Sequence, residues 1–223
     1  MAAAGLRRRG FLAAAGAAAL APGAAFAADD TRIPLSQAFR FLDRYLSLAP
    51  AQRSLFRIGY RVVQNDKPAP GLKVAIVGAD GQRRPLPLDA GGDVTALPSL
   101  AEWQSNAALQ ADTPFHIGLD IRPDVAPATR LDAVALDQAL AQANAAIAHL
   151  AGPLSAMAPK LNVTLFIDAA SGVVAGADGR SAPLPITTAI KQIGPTPYLP
   201  SANAGAKWVT LTRVPSHIFF AKA

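Results

Sequence analysis

The chain contains no cysteine, and this absence excludes several kinds of stabilisation and chemistry. No disulfide can form, and no thiolate is present to bind a metal, to carry a lipid or to act as a nucleophile. Three histidines occur, and none lies three or four residues from another: His116, His149 and His217. The sequence therefore has no local histidine pair of the kind that binds zinc. We predict that the protein carries no metal and no organic cofactor.

Glutamate is almost absent as well. Glu102 is the only glutamate, and the other fourteen acidic residues are aspartates. Aspartate favours turns and helix N-caps, whereas glutamate favours helix interiors. Together with 19 prolines, this composition indicates strands and turns more than helices. The glycine-rich stretches "GADGQ", "DAGGDV" and "AASGVVAGADG" match neither a P-loop nor a dinucleotide-binding fingerprint, and they are interpreted as turns.

The first 27 residues have the three parts of a cleavable export signal. Arg7, Arg8 and Arg9 precede an apolar run that ends in Ala25-Phe26-Ala27, with small residues where a signal peptidase cuts. The run is shorter than the roughly 20 apolar residues of a membrane-spanning helix. The stretch "RRGFL" resembles the twin-arginine export pattern of bacterial proteins, although Arg7 stands where that pattern has Ser or Thr. We predict cleavage after Ala27 and a periplasmic or secreted protein without a membrane span, exported by the twin-arginine or the general secretory route.

Residues 28–223 are long enough for a domain with its own hydrophobic core. Removal of the three leader arginines leaves 18 basic and 15 acidic residues, a net charge of +3. We predict one α+β domain over residues 28–223, with the alternative of two packed halves that meet near residues 123–129.

Two segments have the periodicity of amphipathic helices, and the remainder alternates like strands. Residues 34–49 and 131–152 carry apolar residues three or four apart. Asp132 is a predicted N-cap, and Gly152 a predicted C-terminal stop. Segments such as "SLFRIGYRVVQN" and "FHIGLDIRPD" alternate with period two, which is typical of half-buried antiparallel strands. The predicted fold class is α+β, with an antiparallel, β-rich, sandwich-like core and two amphipathic helices.

A short pattern occurs twice. "GADG" is followed by "PLP" at residues 78–87 and again at 176–185. Each Asp-Gly pair predicts a hairpin turn, and each following proline predicts an edge strand. The repeat is explained either by a duplicated hairpin or by convergence on favourable turn residues. The run from Asp89 to Pro98, D-x-x-G-x-V-x-x-L-P, is similar to transthyretin-like accessory domains of exported proteins, which implies a sandwich.

One polar group on a predicted strand is a candidate binding site. Strand alternation places His116, Asp120 and Arg122 on the same side of "FHIGLDIRPD". A histidine, a carboxylate and a guanidinium on a sheet are able to bind a small acidic ligand. An ordinary solvated face with an Asp120–Arg122 ion pair is the alternative.

Positive charge is concentrated in residues 31–67, which carry a net charge of +5. Arg40 and Arg44 are four residues apart on the first predicted helix, and three further arginines are predicted to share one face of the following strand: Arg53, Arg57 and Arg61. These arginines form a candidate docking surface for an anionic envelope component or an acidic protein. A solvated face without a partner is the alternative. Nucleic acid is not expected, because the basic residues are not interleaved with aromatic ones.

Two classes of function follow from these observations. The first is a non-enzymatic binding or accessory module of the bacterial envelope. The second is a small periplasmic hydrolase with a site assembled across the sheet, although no G-x-S-x-G motif occurs. The two classes differ in the pocket that they require, because an enzyme needs convergent titratable groups in a concave site.

Overall fold

A computed structural model describes residues 32–188, 194–201 and 205–222 of the chain. The predicted export signal, residues 1–27, lies outside these residues. The strands in chain order are β1 (Arg32–Pro34), β2 (Phe56–Gln64), β3 (Lys67–Pro68), β4 (Val74–Val77), β5 (Arg83–Pro85), β6 (Ala108–Ala111), β7 (His116–Pro123), β8 (Arg130–Asp132), β9 (Val163–Ile167), β10 (Gly172–Gly176), β11 (Ser181–Pro183), β12 (Ile186–Thr187), β13 (Thr196–Pro200), β14 (Ala206–Leu211) and β15 (His217–Ala221). The α-helices are α1 (Leu35–Ala38), α2 (Leu42–Ser47), α3 (Leu100–Gln104) and α4 (Ala133–Ala151), and 3₁₀ turns cover Pro50–Arg53 and Gly152–Met157.

These strands form three antiparallel sheets. The largest has seven strands in the order β12-β13-β9-β15-β7-β2-β3, and Ile121 of β7 pairs with Phe220 of β15 near its middle. One four-stranded sheet has the order β1-β6-β4-β5, and the other has the order β8-β14-β10-β11. The predicted class, an α+β fold with an antiparallel and β-rich core, is confirmed.

The two halves of the chain share much of their strand order. In each half a short strand is followed by helix, by a strand of the central sheet, by a hairpin, and later by one strand of a small sheet and one of the central sheet. The strands β3, β12 and β13 of the central sheet lie outside this shared order. The first half contributes β2 and β7 to the central sheet, and the second contributes β9 and β15. The smaller sheets correspond strand by strand, β1-β6-β4-β5 with β8-β14-β10-β11. This shared topology favours the duplicated hairpin over convergence, while the domain boundaries stay a prediction.

The predicted hairpins are confirmed at both places. β4 pairs with β5, and β10 pairs with β11. Gly81 and Gly179 adopt φ of +81° and +76°, which only glycine reaches without strain. Pro85 and Pro183 lie in the edge strands β5 and β11, where a missing N–H breaks no ladder.

One face of the central sheet is covered, and this arrangement gives the sandwich-like core. The β1-β6-β4-β5 sheet buries Tyr60 and Val62 of β2. The other small sheet buries Phe166 and Ile218. Helix α4 packs between them, over a set that includes Phe56, Ile121 and Phe220. The opposite face carries Arg57 and Arg61 of β2 together with Asp120 and Arg122 of β7, and we call it the arginine face.

The second predicted helix is confirmed as α4. Asp132 caps it, because its Oδ1 accepts hydrogen bonds from the backbone N–H groups of Val134 at 2.8 Å and Ala135 at 3.1 Å. The apolar stripe faces the core, with Leu136, Leu140 and Ala143 buried. The helix ends at Gly152, whose φ is +55°. None of the helices in the described ranges is long and apolar enough to cross a membrane.

The first predicted helix is wrong as a continuous element. The segment 34–49 forms α1 and α2, and Phe41 between them has φ of +65°. Two distant side chains use the carbonyls that a continuous helix would bond internally. Trp103 Nε1 donates to the Phe39 carbonyl at 3.0 Å, and the Tyr60 hydroxyl donates to the Arg40 carbonyl at 2.6 Å. The break leaves Phe41 exposed, whereas Leu35, Phe39 and Leu42 are buried.

Candidate functional site

The arginine face is organised around a buried carboxylate. Asp93 is 6% exposed and lies beside β2, where it forms an isolated bridge with Arg61. A tight turn positions it. Asp89 Oδ1 accepts hydrogen bonds from the N–H groups of Gly91 and Asp93, each at 2.8 Å, and Gly92 has φ of +81°. The loop 89–93 thereby folds over the arginine face.

Three basic side chains converge on Asp93. Arg61 Nε donates to Oδ1 at 2.6 Å, and Arg122 donates through Nη1 to Oδ2 at 2.6 Å and through Nη2 to Oδ1 at 2.9 Å. His217 Nε2 lies 2.8 Å from Oδ2. Arg122 also forms a two-pronged pair with Asp120, with Nη2 and Oδ2 2.8 Å apart. We call these five residues the Asp93 network.

Burial and charge act in opposite directions on this network. Burial raises the pKa of Asp93, but hydrogen bonds from His217, Arg122 and Arg61 outweigh it and hold that pKa below its usual value. Burial lowers the pKa of Arg122, but Asp93 and Asp120 outweigh it, so the guanidinium stays charged. Among the described residues, no buried side-chain nitrogen or oxygen lacks a hydrogen-bond partner.

The network continues into the second half of the chain. His217 Nδ1 lies 3.2 Å from Ser216 Oγ, and Ser216 Oγ donates to Asp168 Oδ2 at 2.6 Å. Asp168 follows β9 with φ of +63°, and Arg213 Nε donates to its backbone carbonyl. Hydrogen bonds thus connect the loop 89–93 of the first half with β9 and β15 of the second.

A small cavity opens beside the network. It has a volume of about 180 Å³ and lies where β7 ends and β15 begins. Its apolar wall includes Pro123, Val125 and Pro127, and its polar lining consists of Arg57, Asp89, Asp93, Arg122, Ser216 and His217. Arg57 is exposed and forms no ion pair or side-chain hydrogen bond with any other described residue. It is therefore a cation at the cavity that is available to a ligand.

The structure brings together only part of the predicted ligand face. Asp120 and Arg122 lie on one side of β7, as the alternation predicts, and they pair with each other. His116 shares their face but lies six residues from Arg122, roughly 20 Å along a strand. It takes no part in the network. The solvated alternative is wrong for Arg122, which is 9% exposed.

The predicted basic surface is divided. Arg40 lies in the break between α1 and α2 and Arg44 lies in α2, so the two do not share a helix. Arg53 lies in a 3₁₀ turn, where its guanidinium stacks 5.1 Å from the Tyr45 ring centre, so its placement on the strand was wrong. Arg57 and Arg61 do share one face of β2, but Asp93 neutralises Arg61.

Several residues of the site were not singled out from the sequence. The sequence places Asp93 in a glycine-rich turn and assigns no role to His217. One signal was present: Pro-x-His-Ile occurs at residues 114–117 and again at 215–218, at the start of the corresponding strands β7 and β15. Within the described ranges, no group of three or more His, Asp or Glu side chains is arranged to hold a metal ion.

No known protein family, curated protein or solved structure matches this chain. Any function must therefore be argued from the site itself.

Proposed function

We propose that this protein is an exported, non-enzymatic binding module that holds a small anionic group in the cavity beside the Asp93 network. The observation that carries this proposal is Arg57, an exposed guanidinium that borders the cavity without a partner among the described residues. A guanidinium is suited to a carboxylate or phosphate, because its planar fork donates two parallel hydrogen bonds. The neighbouring network supplies rigidity, since Arg122 and Arg61 are already held by Asp93.

The second half of the chain supports a functional role for these charges. On the same face of the central sheet, the corresponding strands β9 and β15 carry Val163, Leu165, Ile167 and Phe219. The fold is therefore compatible with aliphatic and aromatic side chains on this face of the sheet. A buried ion network is also weak evidence of stability, because apolar replacements are often neutral or stabilising. The arginines of β2 and β7 are better explained by recognition than by folding.

The cavity limits the size of the ligand. Its volume of about 180 Å³ is smaller than the roughly 300–1,000 Å³ of typical small-molecule pockets. It accommodates a group of a few non-hydrogen atoms, with the charge on Arg57 and a short apolar stem against Pro123, Val125 and Pro127. The group is either a free short-chain carboxylate or the carboxylate of an envelope component or acidic protein. Nucleic acid is not proposed.

A hydrolase is the second candidate, because one observation favours it. Ser216 Oγ, His217 and Asp93 form a chain of contacts in the order serine, histidine, aspartate. However, the Ser216 hydroxyl donates a hydrogen bond to Asp168 Oδ2 at 2.6 Å, and its contact with His217 Nδ1 is longer, at 3.2 Å. A serine nucleophile must instead give its proton to the histidine. Binding is therefore the better supported function.

A titration with propionate tests the binding proposal. We expect saturable changes in the backbone amide NMR signals of residues that line the cavity. Arg57→Gln should weaken binding by about tenfold or more, because a charge-assisted hydrogen bond contributes about 1.5–3 kcal/mol. Arg83→Gln is the matched control, since Arg83 is an exposed arginine on the edge strand β5. Equal binding by the Arg57 variant and the parent would reject this site.

An esterase assay separates the two candidates. The hydrolase alternative requires that Ser216→Ala abolish turnover of a simple ester such as p-nitrophenyl acetate. The binding module predicts that the parent and this variant differ little from each other and from buffer. Turnover that depends on Ser216 would favour the enzyme.

A further inference from the structure

The chain of hydrogen bonds from Asp93 to Asp168 determines how many protons its members carry. The contacts are Asp93 Oδ2 to His217 Nε2 at 2.8 Å, His217 Nδ1 to Ser216 Oγ at 3.2 Å, and Ser216 Oγ to Asp168 Oδ2 at 2.6 Å. An ionised carboxylate only accepts hydrogen bonds, and a hydroxyl has a single proton to donate. Each contact must have one donor and one acceptor.

The end at Asp93 fixes a proton on Nε2 of the imidazole. Asp93 receives hydrogen bonds from Arg61 and Arg122, and these keep it ionised. An ionised Asp93 accepts from His217, so Nε2 of His217 carries a proton.

The other end fixes a proton on Nδ1. Asp168 Oδ2 accepts a hydrogen bond from Ser216 Oγ. The single hydroxyl proton of Ser216 is therefore used in the hydrogen bond to Asp168, and the Ser216 oxygen acts as an acceptor towards His217. Nδ1 must then donate to Ser216 Oγ. With a proton on each ring nitrogen, His217 is an imidazolium.

We infer that the cavity binds its anion together with a proton, and that His217 holds this proton. The inference rests on the proposed function and adds the way in which that site is regulated. His217 lines the cavity together with Arg57 and Ser216. The protonated ring is a second cation for the bound group.

The charged groups around His217 are balanced, so the proton on His217 determines the net charge of the site. The other charged groups that line the cavity or take part in these hydrogen bonds are four aspartates and four arginines: Asp89, Asp93, Asp120, Asp168, Arg57, Arg61, Arg122 and Arg213. Their formal charges cancel. The site is therefore positive when His217 is protonated and neutral when it is not, so anion affinity falls as the pH rises.

The first measurement needs no ligand. Nitrogen chemical shifts of the His217 ring in the full protein distinguish an imidazolium from the two neutral tautomers. We expect the imidazolium signature at pH 6–7. Asp168→Asn should reduce this signature, because the Ser216 hydroxyl can then donate its hydrogen bond to His217 Nδ1 instead of to the Asp168 carboxylate. A neutral ring at pH 6 in the folded parent would overturn the inference.

The second measurement is the propionate titration at pH 6 and pH 9. The parent should lose about tenfold in affinity at the higher pH, which is the effect of losing one positive charge beside the bound anion. His217→Gln should bind with little pH dependence, and His149→Gln, an exposed histidine of α4, should keep the parental dependence. Binding by the parent that does not change with pH contradicts proton linkage while leaving the proposed function intact. Absence of propionate binding at both pH values rejects the proposed function and with it the linkage.

Discussion

Gly59 of β2 lies directly opposite Asp120 of β7, and the missing side chain at Gly59 leaves the space that the Asp120–Arg122 ion pair occupies. A Cβ atom built on Gly59 would collide with the Asp120 carboxylate and the Arg122 guanidinium. The network on the arginine face therefore depends on one glycine in the neighbouring strand.

Replacement of this glycine should disrupt the network. Alanine in a strand is normally more stabilising than glycine, so a loss of stability in the Gly59→Ala protein would indicate the collision. We expect Gly59→Ala to lower the free energy of unfolding by about 1–3 kcal/mol, the usual cost of overpacking, in urea denaturation. Gly71→Ala is the control, because nothing lies within 4 Å of a Cβ built there. A Gly59→Ala protein as stable as the control would contradict the dependence.

Asp93→Asn should be strongly destabilising. Removal of the carboxylate leaves the buried Arg122 and the half-buried Arg61 without their shared counter-charge. We expect a loss of about 3–5 kcal/mol in the free energy of unfolding, as for other buried pairs that lose one partner. Asp112→Asn removes an exposed aspartate instead and should change stability by less than about 0.5 kcal/mol. The prediction fails if the two variants unfold at the same urea concentration.

The lowered pKa of Asp93 predicts how the free energy of unfolding depends on pH. Because the pKa of Asp93 is lowered by folding, its contribution is fully present above the unfolded value of about 3.9. The contribution is lost progressively as the pH falls below that value. Urea denaturation between pH 5 and pH 2.5 should therefore show a shallower loss of stability for Asp93→Asn than for the parent. Parallel curves would exclude this source of acid sensitivity.

Phe41 predicts a stabilising substitution. It holds a left-handed backbone with φ of +65°, which costs a non-glycine residue about 1–2 kcal/mol, and its side chain is 54% exposed. We expect Phe41→Gly to raise the free energy of unfolding by about 0.5 kcal/mol, since relief of this strain exceeds the added freedom of the unfolded chain. Gln37→Gly, in α1, should instead lower stability by roughly 1 kcal/mol. A loss at position 41 as large as that at position 37 would argue against strain.

The leader carries a prediction of its own. Ala25-Phe26-Ala27 after an alanine-rich run predicts a protein that begins at Ala28 once it is exported. Amino-terminal sequencing of the protein from the cell envelope measures this directly. An intact Met1 in washed membranes would contradict cleavage and favour an anchor.

Local signals in the sequence determined a good part of the fold. The alternation in β2 and β7, the Asp132 cap of α4 and the Asp-Gly turns at Gly81 and Gly179 depend on neighbouring residues alone, and each is found as predicted. The same alternation placed Asp120 and Arg122 on one face. These features were predictable because side-chain direction and backbone preference follow from the local chain.

Only the tertiary structure decided where helix 34–49 breaks and which charges meet. The break follows from hydrogen bonds that Trp103 and Tyr60 donate from distant segments, which no periodicity encodes. Likewise, Asp93 meets Arg122 across 29 residues and His217 across 124, because the sheet order and one folded loop bring them together. Periodicity tells which side of a strand faces the core. It does not tell which strand or loop lies beside that strand, and this neighbourhood is what creates the site.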